Sequence, residues 1–129
     1  MTSLAMTALV VPDYDEAIGF FTRALGFSLI EDSALDDGKR WVVVAGEGGG
    51  KLLLARAADD AQRSAIGNQT GGRVGWFLDT ADFAAAHRRL VEYGIAFSDG
   101  PRDEPYGTVA VFADPWGNRW DLIEPRKAA

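Results

Sequence analysis

The chain states one pattern twice. Leu-Gly-Phe at 25–27 and Tyr-Gly-Ile at 93–95 hold equivalent places, 68 residues apart. Around each lies the same order: a strand, a helix, then three strands. In the first half, residues 4–11 are a short apolar strand. Tyr14, Ala17, Ile18, Phe21 and Leu25 then recur at the spacing of one helix face. Asp13 with Glu16 forms a capping box, and Gly26 ends the helix in the left-handed conformation. Strand-like runs follow at 27–31, 40–45 and 51–55, with turn clusters at 36–38 and 46–50 between them. The glycine run of the second cluster lacks the Gly-Lys-Ser/Thr ending of a phosphate loop and reads as a hairpin turn.

The second half repeats the order. Residues 73–79 are a strand, Thr80 or Asp82 a cap, and Phe83, Ala86, Leu90 and Tyr93 the helix stripe that Gly94 ends. Strands at 95–98, 108–113 and 119–124 complete it. A shared order at a fixed period specifies two copies of one supersecondary unit. One helix covers only one face of a four-stranded sheet, so a single unit leaves its other face bare. Two units together solve this. The expected fold is therefore α+β: two βαβββ modules forming one curved mixed sheet around a trough, with the helices on the outer face. The modules span about 3–56 and 72–125 of a single domain of 129 residues, joined by a connecting flap at 57–71. That flap is long and polar, and a short helix near 59–65 would occupy part of it. A trough lined by alternate strand residues is where a small molecule binds.

Composition narrows the chemistry. There is no cysteine, which excludes disulfides, thiolate nucleophiles and thiolate metal ligands. No apolar run approaches the roughly 18–20 residues of a membrane span. The opening Met-Thr-Ser-Leu-Ala-Met lacks the basic flank and apolar core of a signal peptide, so a cytoplasmic location is expected, with no membrane partner. A net charge of −6 disfavours nucleic acid and favours a cationic small molecule. His87, the one histidine, lies mid-helix just off the apolar stripe and reads as a helix-edge residue.

The most specific stretch is 105–125, two strands around a tight turn. Asp114 suits the first turn position, Pro115 presets φ at the second, and Gly117 closes the corner. In the last strand Asp121 shares a face with Arg119 and Ile123, while Trp120 and Leu122 take the other. The preceding segment 99–107 reads as an irregular loop that carries Arg102, Asp103, Glu104 and Tyr106.

The repeated unit, with Val-Pro-Asp-Tyr-Asp-Glu-Ala at 11–17 and Asp-Pro-Trp-Gly-Asn-Arg-Trp-Asp-Leu at 114–122, resembles the vicinal oxygen chelate superfamily. That group contains glyoxalase I, bleomycin-resistance proteins and extradiol dioxygenases. The resemblance implies a divalent ion in the metal-dependent members, held from the first strand of each half and from carboxylates on later strands. Carried over, those positions fall on Met6, on Gly75 (or Val74 one residue earlier) and on Asp121. Only the last could hold a hard cation, so the expectation is no metal and no cofactor.

Ligand-facing candidates are Met6, Trp41, Gly75, Trp76, Glu104, Tyr106, Trp116 and Asp121. Trp116, on the turn, would cap the trough or pack across a subunit boundary. The leading expectation is a metal-independent binding protein that takes an aromatic or cationic compound. The alternative is a glyoxalase-like lyase or isomerase with Asp121, Glu104 or Tyr106 as general acid and base. A third is a scaffold whose dimer contact is its function. Relatives with two such units pair as homodimers, and the resemblance implies the same here.

Overall fold

The computed structural model describes residues 1–127. The chain forms two compact units, Met1–Ile66 and a second that begins at Gly67. Both βαβββ modules are present. The first unit contains β1 (Thr7–Val11), α1 (Tyr14–Gly19), β2 (Ser28–Ala34), β3 (Arg40–Ala45), β4 (Lys51–Arg56) and α2 (Asp60–Ala65). The second contains β5 (Val74–Asp79), α3 (Phe83–Tyr93), β6 (Phe97–Glu104), β7 (Gly107–Ala113) and β8 (Arg119–Pro125). Each has its own four-stranded mixed sheet, in the orders β1-β4-β3-β2 and β5-β8-β7-β6. In each, the first strand runs parallel to the last and the other pairings are antiparallel. No helix among the described residues is long and apolar enough to cross a membrane.

The helix boundaries follow from local chemistry. The Asp13 carboxylate accepts the Glu16 N–H at 2.8 Å and starts α1. Asp82 does the same for α3 through Ala85 N–H, at 3.1 Å. Gly94 ends α3 at φ 99°, where a side chain would be strained. The first helical stripe, expected to run to Leu25, is not one α-helix. After Gly19 it widens into a π-helical turn at Phe20–Ala24, still burying Phe20, Phe21 and Ala24. In the connecting segment, the short helix takes form as α2, capped by Asp59.

Strand alternation divides each sheet into two faces. In the first, Leu9, Val11, Val42, Val44, Leu52 and Leu54 are buried and form the core with α1. In the second, Trp76 stacks on Trp120 at 5.1 Å, Phe112 lies 6.2 Å beyond, and Phe97 packs edge-on to Phe112. His87 of α3 closes the row against Phe97, ring centroids 4.3 Å apart. The histidine thus packs between helix and sheet, away from the opposite face.

Two expectations change here. The segment 99–107, expected as an irregular loop, is mostly strand: β6 runs on to Glu104 and only 105–106 form the turn. Register shifts on either side of Asp99 absorb the Gly100–Pro101 step. An edge strand tolerates this, because no neighbour needs the missing proline N–H. The other change lies in β5, where a register shift between Val74 and Trp76 resets the alternation.

Candidate functional site

Because of that shift, Trp76 pairs with Trp120 and turns toward α3, and Phe77 pairs with Asp121. Trp76, expected among the ligand-facing residues, is therefore on the face opposite Asp121. Phe77 lies on the Asp121 face instead. Phe77 is 70% exposed, a large apolar surface for a mid-strand residue. Nothing in the local sequence marks the exchange, since the bulge is visible only in the pairing with β8.

Asp121 sits in a defined row. Its neighbours across the sheet are Phe77 on β5 and Val111 on β7, with Asp99 beyond on β6. Along the adjacent row lie Ile123, Val109 and Arg102. Arg102 is paired with both Asp99, at 3.2 Å, and Glu104. Burial pushes the Asp121 carboxyl above its ordinary range; Arg102 opposes this and Asp99 adds to it. Oδ1 of Asp121 is buried and has no hydrogen-bond partner among the described residues. An unsatisfied buried carboxylate oxygen costs free energy until a donor arrives.

The remaining expected residues belong to several elements of the two units. Glu104 is committed to Arg102. Tyr106 is exposed on the β6–β7 turn, its carbonyl accepting Arg126 N–H at 2.8 Å. Trp116 is half-buried on the β7–β8 turn, and its N–H donates to Asp114 Oδ1 at 3.1 Å. Trp41 belongs to β3 of the first unit and is 36% exposed. Met6 precedes β1.

The donor set does not fit a divalent ion. Met6 offers a thioether, and Gly75 has no side chain. A Cβ at Gly75 would meet Thr70 Cγ2 at 2.5 Å, so a larger residue there must displace Thr70. One carboxylate remains. Among the described residues no group of three or more His, Cys, Asp or Glu side chains is placed to hold a metal.

Residues 3–122 match the Glyoxalase/Bleomycin resistance protein/Dioxygenase superfamily. The chain belongs to that superfamily. It is 51% identical over 125 residues to an uncharacterized protein of Shewanella frigidimarina (strain NCIMB 400), covering 95% of this chain and 93% of the relative. A 2-epi-5-epi-valiolone epimerase from Actinomyces sp is 28% identical over 138 residues, covering 90% of this chain and 75% of the epimerase. Among solved structures, TnmS3, an antibiotic binding protein from Streptomyces sp. CB03234, superposes with a TM-score of 0.75. It is 31% identical, with 98% of each chain covered.

Proposed function

We propose that this superfamily member is a metal-independent small-molecule binding protein. It holds an aromatic compound with a cationic or hydrogen-bond-donating group against the open face of the second sheet. The observation that carries this reading is Asp121: a carboxylate with a buried, unpartnered oxygen directly beside the exposed ring of Phe77. The ring supplies a stacking surface and the carboxylate an oriented acceptor. The likeness to TnmS3 supports binding as the function. The same reading includes a homodimer, checked by mass in solution.

The test is calorimetric titration with a panel of aromatic amines and their neutral and carboxylate counterparts. The amines bind tightest, and Phe77→Ala and Asp121→Asn each weaken them by about tenfold, the scale of one lost stacking contact and one lost charge-assisted contact respectively. Equal affinity for amines and carboxylates, or no binding across the panel, overturns it.

Two observations favour a second reading, an isomerase. The epimerase is a relative across most of the chain, and a carboxyl with a raised pKa suits a proton carrier. In D2O such an enzyme would incorporate deuterium into 2-epi-5-epi-valiolone, and Asp121→Asn would abolish it.

A further inference from the structure

The first unit carries a cleft of about 440 Å³, at the end of its sheet where β4 finishes and β3 begins. That volume lies within the range of small-molecule sites. Its apolar walls include Trp41, Leu35 and Leu53. Its polar lining is basic: Lys39, Arg40 and Arg56 against a single carboxylate, Asp37.

These cations are not equivalent. Arg40 is already neutralised, forked onto Asp32 through Nε and Nη2 at 3.0 and 2.7 Å and paired with Asp15 at 3.0 Å. Arg56 has no carboxylate partner among the described residues. Its Nη2 donates to the Gly38 carbonyl at 3.1 Å, and its guanidinium lies 4.9 Å from the centroid of the Tyr14 ring. The Lys39 ammonium has no hydrogen-bond or ion-pair partner among the described residues; only the Lys39 backbone is engaged, with Leu35 and Asp36.

Tyr14 anchors the arrangement. It is buried, its Oη accepts Arg40 N–H at 3.2 Å, and the Arg40 guanidinium also lies over its ring, at 5.1 Å. A guanidinium held by a ring and a carbonyl loses little freedom when it takes an anion. The local balance is therefore two available cations against one acid, on a chain of net charge −6.

We infer that this cleft is a second ligand site, for a small organic carboxylate whose flat apolar body rests on Trp41 while Arg56 and Lys39 take its charge. The inference does not rest on the Asp121 reading, because it uses residues of the first unit only and a ligand of the opposite charge.

Titration of the full-length protein with 1-naphthoate tests it, followed by calorimetry and by amide NMR shifts. Saturable binding is expected, with shifts confined to residues 35–41, 53–58 and 62. The neutral isostere 1-naphthamide should bind about tenfold more weakly, and Arg56→Gln likewise. Lys39→Gln, at an exposed position, provides a variant with little folding risk and should also weaken the acid while sparing the amide. Absence of saturable binding, equal affinity for acid and amide, indifference to both substitutions, or shifts centred on Phe77 and Asp121 would each overturn the inference. Failure of the aromatic amines at Asp121 leaves this result standing, so the two readings fail separately.

Discussion

Asp114 Oδ2 accepts the indole N–H of Trp120 at 3.0 Å, tying the first residue of the β7–β8 turn to the core of the strand that follows. The same oxygen accepts Asn118 Nδ2–H at 2.9 Å. Oδ1 takes the backbone N–H groups of Trp116, Gly117 and Asn118 at 2.9–3.1 Å. With only 4% of Asp114 and 1% of Trp120 exposed, this is a buried cradle closed by one carboxylate. The Asp-Pro-Trp-Gly-Asn-Arg-Trp motif is thus a folding device, which is why it marks a superfamily and not a reaction.

Asp114→Ala should destabilise the protein by about 3–5 kcal/mol, since it strands several buried donors at once. Asp114→Asn should cost nearly as much. An amide facing Oδ1's three donors through its oxygen would turn its NH2 toward Asn118 Nδ2 and Trp120 Nε1, donor against donor. Urea melts of the two variants check this; a variant Asn as stable as wild type contradicts it.

Gly67→Ala should be destabilising by about 2–4 kcal/mol. Gly67 has φ +74°, and a Cβ there would lie 1.8 Å from the carbonyl oxygen of Trp116. Both the backbone conformation and the contact oppose a side chain. Gly71, also at positive φ (+70°) but with open space around its Cβ position, is the control, and its alanine variant should lose less.

Phe77→Ala should change stability by less than about 0.5 kcal/mol, because so much of the ring is already in water. The same substitution should weaken aromatic ligands, so thermal melts and binding titrations separate its two roles. A large loss of stability would place the ring in the core instead.

The folded-state pKa of Asp121 is raised above the ordinary 3.8. Between the two values the folded protein holds the proton more tightly than the unfolded chain, so stability falls as pH rises through that window. Above the folded-state pKa the whole penalty of the buried charge is present; below about pH 4 it is absent. Asp121→Asn should therefore raise the melting temperature at pH 7 and lose that advantage as pH is lowered toward 4. A cationic ligand reverses the balance, and its affinity should climb with pH across the same interval and then level off.

Arg40 holds the Asp32 carboxyl below its ordinary range, chiefly through their hydrogen bonds. Arg40→Gln should let that pKa return toward 3.8, which carboxyl NMR titration would follow directly. An unchanged Asp32 titration would mean that the pairing does not persist in solution.

The sequence was most legible where chemistry is local. Asp13, Asp82, Gly94 and Gly117 act within a few residues of their own positions, and each does what its type and place predict. The duplicated order was legible because strand and helix periodicities differ. Legibility failed where a pairing partner decides the outcome. Residues 99–104 look like loop until β7 supplies hydrogen bonds, and the facing of Trp76 and Phe77 depends on register against β8. Asp114 was legible as a turn residue, but its reach to Trp120 needs the hairpin to close first.

The offset at Val74–Trp76 lets Val74 and Phe77, three positions apart, both lie on the Asp121 side of β5. Gly75 is the extra residue of that bulge, so excising it would join Val74 directly to Trp76 and leave the pairings with Arg119, Trp120 and Asp121 as they are. A shortened strand would keep the indole and the phenyl on the sides they now occupy, so the facing of both is anchored from the β8 side and tolerates change at position 75.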